Sequence, residues 1–229
     1  MISREMSRAL LASKYKPRTL DSFVGNAEVK EVVSAFLDSD NKSQVIGITG
    51  ESGYGKTTLA RFIAWKCTDS YKDFVVVDCL KQIGVKRLST LWDILKPVEK
   101  GYRVHLIDEC HMMSKDVQER LAGVLDNLPK NVLVIFCTFR PEYLTSELRS
   151  KWQVTLELKK PTSEEIVEVL RNICISENKG YDEEGLYLLA NKSNFIIREA
   201  IYLLQSAFSL RDSADISAVS ETLYTMNIR

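Results

Sequence analysis

The stretch Val45-Ile46-Gly47-Ile48-Thr49-Gly50-Glu51-Ser52-Gly53-Tyr54-Gly55-Lys56-Thr57-Thr58 constrains the fold of this chain more than any other. A short apolar run breaks into a glycine-punctuated turn. Leu59, Ile63 and Trp65, with Ala60 and Ala64, then read as a buried helix, so the local order is strand, tight loop, helix. Gly50-x-x-x-x-Gly55-Lys56-Thr57 satisfies the phosphate-loop pattern at every fixed position. The glycines let the backbone curl until successive N–H groups point inward at phosphate oxygens, and the start of the following helix adds its dipole. In this reading the residues from Gly50 through Glu51, Ser52, Gly53, Tyr54, Gly55, Lys56 and Thr57 to Thr58 cradle a nucleotide. Lys56 reaches the β- and γ-phosphates as a mobile point charge, and the Thr57 hydroxyl ligates Mg²⁺.

Four more apolar runs follow: Phe74–Asp78, Tyr102–Ile107, Asn131–Cys137 and the alternating Val154–Leu158. Helical stretches separate them, notably Ser89–Leu95 and Asp116–Leu128, and another precedes the first run at Ala27–Leu37. Strands alternating with helices, each strand nearly continuous in apolar character, predict a parallel sheet covered on both faces. From Lys159 the pattern changes. Helices are expected at Thr162–Ser176, Asp182–Ala190, Ile196–Leu210 and Ile216–Tyr224, with no further strand, and Thr162 with Glu165 forms a capping box. The 229 residues therefore divide into an α/β domain over 1–159 and an all-helical domain over 160–229. With 45% hydrophobic and 27% charged residues the chain is globular rather than disordered. No apolar run approaches the roughly 20 residues of a membrane span, and the start has no signal-peptide core, which points to a cytoplasmic chain without membrane contact.

Val104-His105-Leu106-Ile107-Asp108-Glu109 is the natural companion of the glycine loop. A strand ending in two acids puts carboxylates at the edge of the sheet where ligands of open α/β folds bind. Asp108 then holds the Mg²⁺ shell, and Glu109 orients and deprotonates an attacking water. His105 reads as a packing residue of the strand, and His111 as a helix-entry residue. Thirty-one basic residues balance thirty-one acidic ones, so any contact with DNA must be a local patch or part of an assembly. Five widely spaced cysteines without a CxxC pair read as reduced packing thiols.

Several segments resemble the AAA+ ATPases, and within them the clamp-loader branch. Lys14-Tyr15-Lys16-Pro17-Arg18 with Phe23-Val24-Gly25 resembles the opening of that branch, which implies adenine contacts from Tyr15, Pro17 and Val24. Ile107-Asp108-Glu109-Cys110-His111-Met112-Met113-Ser114 is similar to its acidic motif. Phe136–Pro141 falls where the family carries sensor 1, which implies that Thr138 hydrogen-bonds the γ-phosphate or the attacking water. Ile196-Ile197-Arg198-Glu199-Ala200 resembles sensor 2, which implies that Arg198 reaches the γ-phosphate from a helical lid. The resemblance implies an AAA+ fold with a five-stranded parallel sheet and a small helical lid. It also implies ATP and Mg²⁺ as cofactors and a pentameric assembly with other AAA+ subunits, a sliding clamp and primer–template DNA as partners.

Two departures stand out. The family's trans-acting arginine follows sensor 1, but Leu148-Arg149-Ser150-Lys151-Trp152 places Lys151 at that position, with Arg149 two residues earlier. Either Lys151 serves weakly, Arg149 substitutes for it, or this chain supplies no such group; lysine lacks the planar fork that suits phosphate, which favours Arg149. The resemblance implies a helical collar after the lid, which these 229 residues do not include; either assembly rests on the ATPase and lid domains or a partner, or the sequence is a piece of a longer chain. Lys81, Lys86, Arg87 and Lys115 are candidates for DNA backbone contact, and Tyr71–Asp73 or Met112-Met113 for clamp contact. Trp65, Trp92 and Trp152 read as core or interface. The alternatives are another DNA-acting AAA+ machine, such as a branch-migration motor, helicase loader or fork-maintenance ATPase, and a non-hydrolysing structural subunit. The intact Lys56, Asp108 and Glu109 speak against the last.

Overall fold

The computed structural model describes residues 11–81 and 96–228, so the helix expected at Ser89–Leu95, together with Lys86, Arg87 and Trp92, lies outside the described residues. The chain forms two compact units, one of Asn26–Leu158 and one that joins the segment up to Gly25 with the chain from Lys159 onward.

In the α/β unit the strands are β1 (Val45–Thr49), β2 (Phe74–Asp78), β3 (Arg103–Asp108), β4 (Val132–Thr138) and β5 (Val154–Glu157). They form one parallel sheet in the order β2-β3-β4-β1-β5. Every residue of β1 and β4 is buried, which is why those strands read as unbroken apolar runs. Register sets Thr49 of β1 beside Thr138 of β4, and Ile107 of β3 beside Phe136 of β4. The carboxyl ends of three neighbouring strands therefore share one stretch of edge.

The α-helices of this unit among the described residues are α2 (Ala27–Asp38), α3 (Lys56–Cys67), α4 (Lys115–Leu125) and α5 (Ser146–Ser150), while α1 (Leu11–Lys14) belongs to the other unit. Leu59, Ala60, Ile63 and Ala64 of α3 are buried, but Trp65, expected with them, is 65% exposed. The reason is angular: Trp65 follows Ala64 by one residue, about 100° around the helix, and so leaves the buried stripe. Gly47 is required by packing rather than by its dihedrals. A Cβ there would fall 2.0 Å from the Trp152 ring, which also stacks on Phe136 at 6.0 Å between centroids.

In the helical unit α6 (Ser163–Ser176), α7 (Glu183–Lys192), α8 (Ile197–Arg211) and α9 (Ile216–Thr225) bury a core that includes Ile166, Leu170, Leu186, Leu204 and Val219. The Thr162–Glu165 capping box forms at the start of α6. Asp182 and Asp215 cap α7 and α9. No strand was expected here, yet β6 (Gly180–Tyr181) and β7 (Ser213–Ala214) make a two-residue parallel pair. Strands that short carry no readable alternation.

The segment before Asn26 groups with this unit rather than with the α/β unit. Leu11 is buried in the helical core, and its N–H donates to Gln205 Oε1 at 2.9 Å. Lys14 Nζ and Tyr15 Oη both donate to Glu177 Oε1, at 2.6 and 2.5 Å. No helix among the described residues is long and apolar enough to cross a membrane.

Candidate functional site

The edge shared by β1, β4 and β3 carries the phosphate loop, Thr138 and Asp108 in that order. The loop leaves β1 at Gly50 (φ 136°) and reaches α3 through Gly53 (φ 85°) and Gly55 (φ 97°), three dihedrals that glycine adopts without strain. Gly55 is the N-cap of α3 and has no side chain to cap it. The N–H groups of the first turn, on Lys56, Thr57 and Thr58, therefore have no acceptor within the helix. Of the other loop residues, Glu51 and Ser52 are exposed, while Gly53 and Tyr54 are partly buried.

Lys56 is only 5% exposed, and its Nζ donates to the Gly50 and Glu51 carbonyls, both at 2.9 Å. Burial lowers its pKa, opposed first by the charge of Glu109. The ammonium is thus held by weak neutral acceptors, an arrangement that an anion would improve. Beside it, Thr57 Oγ1 donates to Asp108 Oδ2 at 2.8 Å. This hydroxyl and carboxylate are hard oxygen donors of the kind Mg²⁺ takes, with substrate oxygens and water completing the octahedron. Among the described residues no group of three or more His, Cys, Asp and Glu side chains is placed to hold a metal.

Glu109 follows with φ 53°, a left-handed conformation unusual for glutamate. Burial raises its pKa against the opposing charge of Lys56. Thr138, fully buried, accepts the Arg140 N–H at 2.9 Å, and its Oγ1 lies 3.1 Å from His111 Nδ1. Phe139 packs against the His111 ring, and Lys56 Nζ stands 5.8 Å from the Phe139 centroid. The structure thus assembles Lys56, Thr57, Asp108, Glu109 and Thr138 at one edge. His111 joins them, although the sequence suggested only a helix-entry residue. The signal that could have found it was its place within the acidic motif, two residues after Glu109.

The remaining site candidates are carried by other elements. Tyr15, Pro17 and Val24 are partly buried in the helical unit, as is the α8 helix that carries Arg198 in its first turn. Arg198 is exposed and has no ion pair among the described residues. Arg149 is exposed near the end of α5, whereas Lys151 is paired with Asp126. Met112 is exposed but Met113 is buried, and Tyr71 is 84% exposed. Lys115 is exposed, and Lys81 pairs with Asp78 at 3.3 Å. All five cysteines are buried and free. His105 is buried in β3, as expected for a packing residue.

Comparison with known proteins adds three findings. The family described as "AAA: ATPase family associated with various cellular activities" matches residues 46–160, half of the chain. Curated relatives include DNA polymerase III subunit gamma of Buchnera aphidicola (subsp. Schizaphis graminum), 25% identical over 95% of this chain and 66% of the relative. A mimivirus protein named as a replication factor C small subunit is 27% identical over 84% of this chain and 61% of its own length. DNA polymerase III subunit tau of Escherichia coli is 26% identical over 97% of this chain, which spans 38% of that relative. The chain thus spans less than two thirds of each. Among solved structures, the Thermotoga maritima RuvB Holliday junction branch migration motor superimposes with a TM-score of 0.78 at 26% identity, covering 94% of this chain and 74% of the other.

Proposed function

Because the chain belongs to the AAA family of ATPases, we propose that it binds ATP with Mg²⁺ and hydrolyses it as a motor subunit of a cytoplasmic DNA polymerase clamp loader. In this reading hydrolysis is coupled to opening a sliding clamp and loading it onto primer–template DNA. The observation that carries the chemical half is the strand edge where Lys56, the Thr57–Asp108 pair, Glu109 and Thr138 meet. Relatives named as DNA polymerase III gamma and tau subunits and a replication factor C subunit support the replication half.

Phosphoryl transfer asks a protein for positioning and charge neutralisation rather than covalent chemistry. The open N–H groups at the start of α3 donate to phosphate oxygens, and Lys56 exchanges its two carbonyl partners for the β- and γ-phosphates. Thr57 and Asp108 hold Mg²⁺, which when bound neutralises charge developing on the phosphates. Glu109 orients and deprotonates the attacking water, and the Thr138 hydroxyl fixes the water or the γ-phosphate. Tyr15, Pro17 and Val24 are proposed to contact adenine, and Arg198 to report the γ-phosphate to the helical unit. Subunits assemble side by side, and Arg149, without an ion pair among the described residues where Lys151 is engaged by Asp126, is the cation offered to a neighbouring site.

The similarity to the RuvB motor favours one second reading, a branch-migration or related DNA motor. An ATPase assay with primed DNA and a candidate clamp, added singly and together, separates the two. Stimulation that needs both supports the clamp loader. Stimulation by DNA alone supports the second reading, and a lack of turnover in any combination overturns both.

A further inference from the structure

Glu109 and Thr138 are 29 positions apart, and one side chain stands between them. His111 sits in the 3-10 turn Cys110–Met112 just after the strained Glu109, and its side chain is 6% exposed. Its Nδ1 is 3.1 Å from Thr138 Oγ1 and 3.5 Å from Glu109 Oε2. The ring is fixed edge-on against Phe139, with centroids 4.5 Å apart. Thr138 Oγ1 already accepts the Arg140 N–H, so its own proton is available for donation, and Nδ1 is within reach to accept it. A ring nitrogen offers a single lone pair or a single proton. Once Nδ1 is engaged by Thr138 it has nothing left for Glu109, and Glu109 Oε2 is indeed buried without a hydrogen-bond partner among the described residues. Burial, and then the charges of Arg140 and Lys56, lower the pKa of His111, so the neutral ring with a free lone pair prevails at neutral pH.

We propose that His111 is a positioning residue for ATP hydrolysis: Nδ1 aims the Thr138 hydroxyl, and the same engagement leaves the Glu109 carboxylate unpartnered for the attacking water. The inference rests on the ATPase reading of the site. Removing the nitrogen lets the hydroxyl rotate, so its effect falls on the chemical step rather than on nucleotide binding.

The test is steady-state hydrolysis of Mg²⁺–ATP by the full chain in its assembly, with nucleotide affinity measured by calorimetry. His111→Phe keeps the ring against Phe139 but has no nitrogen. We expect its kcat to fall about 10- to 100-fold with KM and affinity little changed. His111→Asn, whose amide can stand near the place of Nδ1, recovers most of the loss. In a Thr138→Val background His111→Phe costs nothing further, because the group it positions is gone. An unchanged kcat in His111→Phe, an Asn variant as slow as the Phe variant, or additive losses in the double variant each overturn the proposal. If His111→Phe does not fold, His111→Ala carries the same comparison. A wild-type assembly without turnover removes the ATPase reading and this inference with it. An active wild type with an equally active His111→Phe removes this inference alone.

Discussion

Helices α3 and α6 each begin with the same physical problem, a turn of N–H groups without acceptors and the positive end of a dipole. They answer it in opposite ways. At α6 the Thr162 hydroxyl accepts the Glu165 N–H at 3.2 Å, Glu165 Oε2 accepts the Thr162 N–H at 2.9 Å, and Glu164 adds a second negative charge. At α3 the cap is Gly55, no acid lies in the first turn, and the first residue is a buried lysine. One helix start is completed by its own sequence, and the other concentrates positive charge that its own sequence does not neutralise. The difference separates a helix start closed by its own side chains from one that leaves its donors and a buried lysine open to an anion.

Lys56→Ala should break the contrast most severely. Loss of a buried, charged hydrogen-bonding group is expected to cost nucleotide affinity about two orders of magnitude or more, read by calorimetry. The nucleotide-free protein should melt at an equal or higher temperature, because a desolvated ammonium has been removed. A large drop in melting temperature would make Lys56 structural and collapse the comparison. Glu109→Gln sharpens it by separating anion binding at α3 from chemistry at β3. ATP affinity should persist while turnover falls by about 10²-fold or more. A Glu109→Gln variant of full activity would take Glu109 out of the water-activating role.

Thr162→Ala should give the reverse signature of Lys56→Ala. Stability is expected to fall by about 1 kcal/mol, a shift of roughly 2–4 °C in melting temperature for a chain of this size, with nucleotide affinity unchanged. The smallest effect concerns the contacts that hold the N-terminal segment. Glu177 is kept below the usual carboxylate range by the Lys14 hydrogen bond first and the Tyr15 hydrogen bond second. A carboxyl with a depressed folded pKa stabilises fully above its ordinary range, and that contribution disappears as pH falls through the folded value. Lys14→Ala should therefore lower the melting temperature slightly at pH 7 and by less in acid. An equal effect at both would show that Lys14 acts by packing alone.

Much of the site was legible because it is local. The loop, Lys56 and Thr57 lie within eight consecutive residues, and Asp108 and Glu109 end an obvious strand. The capping box at Thr162 and Glu165 was readable for the same reason, since a helix turn brings residues three apart together. Trp65 misled because its hydrophobicity suggested burial while its angular position faced outward. The two-residue strands at Gly180 and Ser213 were too short to show any alternation. His111 was passed over because its role depends on Thr138, 27 positions away.

What the sequence determined by itself was thus the order of strands and helices, the phosphate loop and the identity of the acids that face it. These follow from periodicity and from dihedral preferences, which act over a few residues. Tertiary structure alone decided that β4 lies between β3 and β1, so that Thr138 joins the acids. It also decided that Leu11 packs into the helical core, that Trp152 lies against Gly47, and that Asp126 takes Lys151 rather than Arg149. Such contacts depend on which surfaces can be buried together, and that competition is settled only when segments distant along the chain are packed against one another.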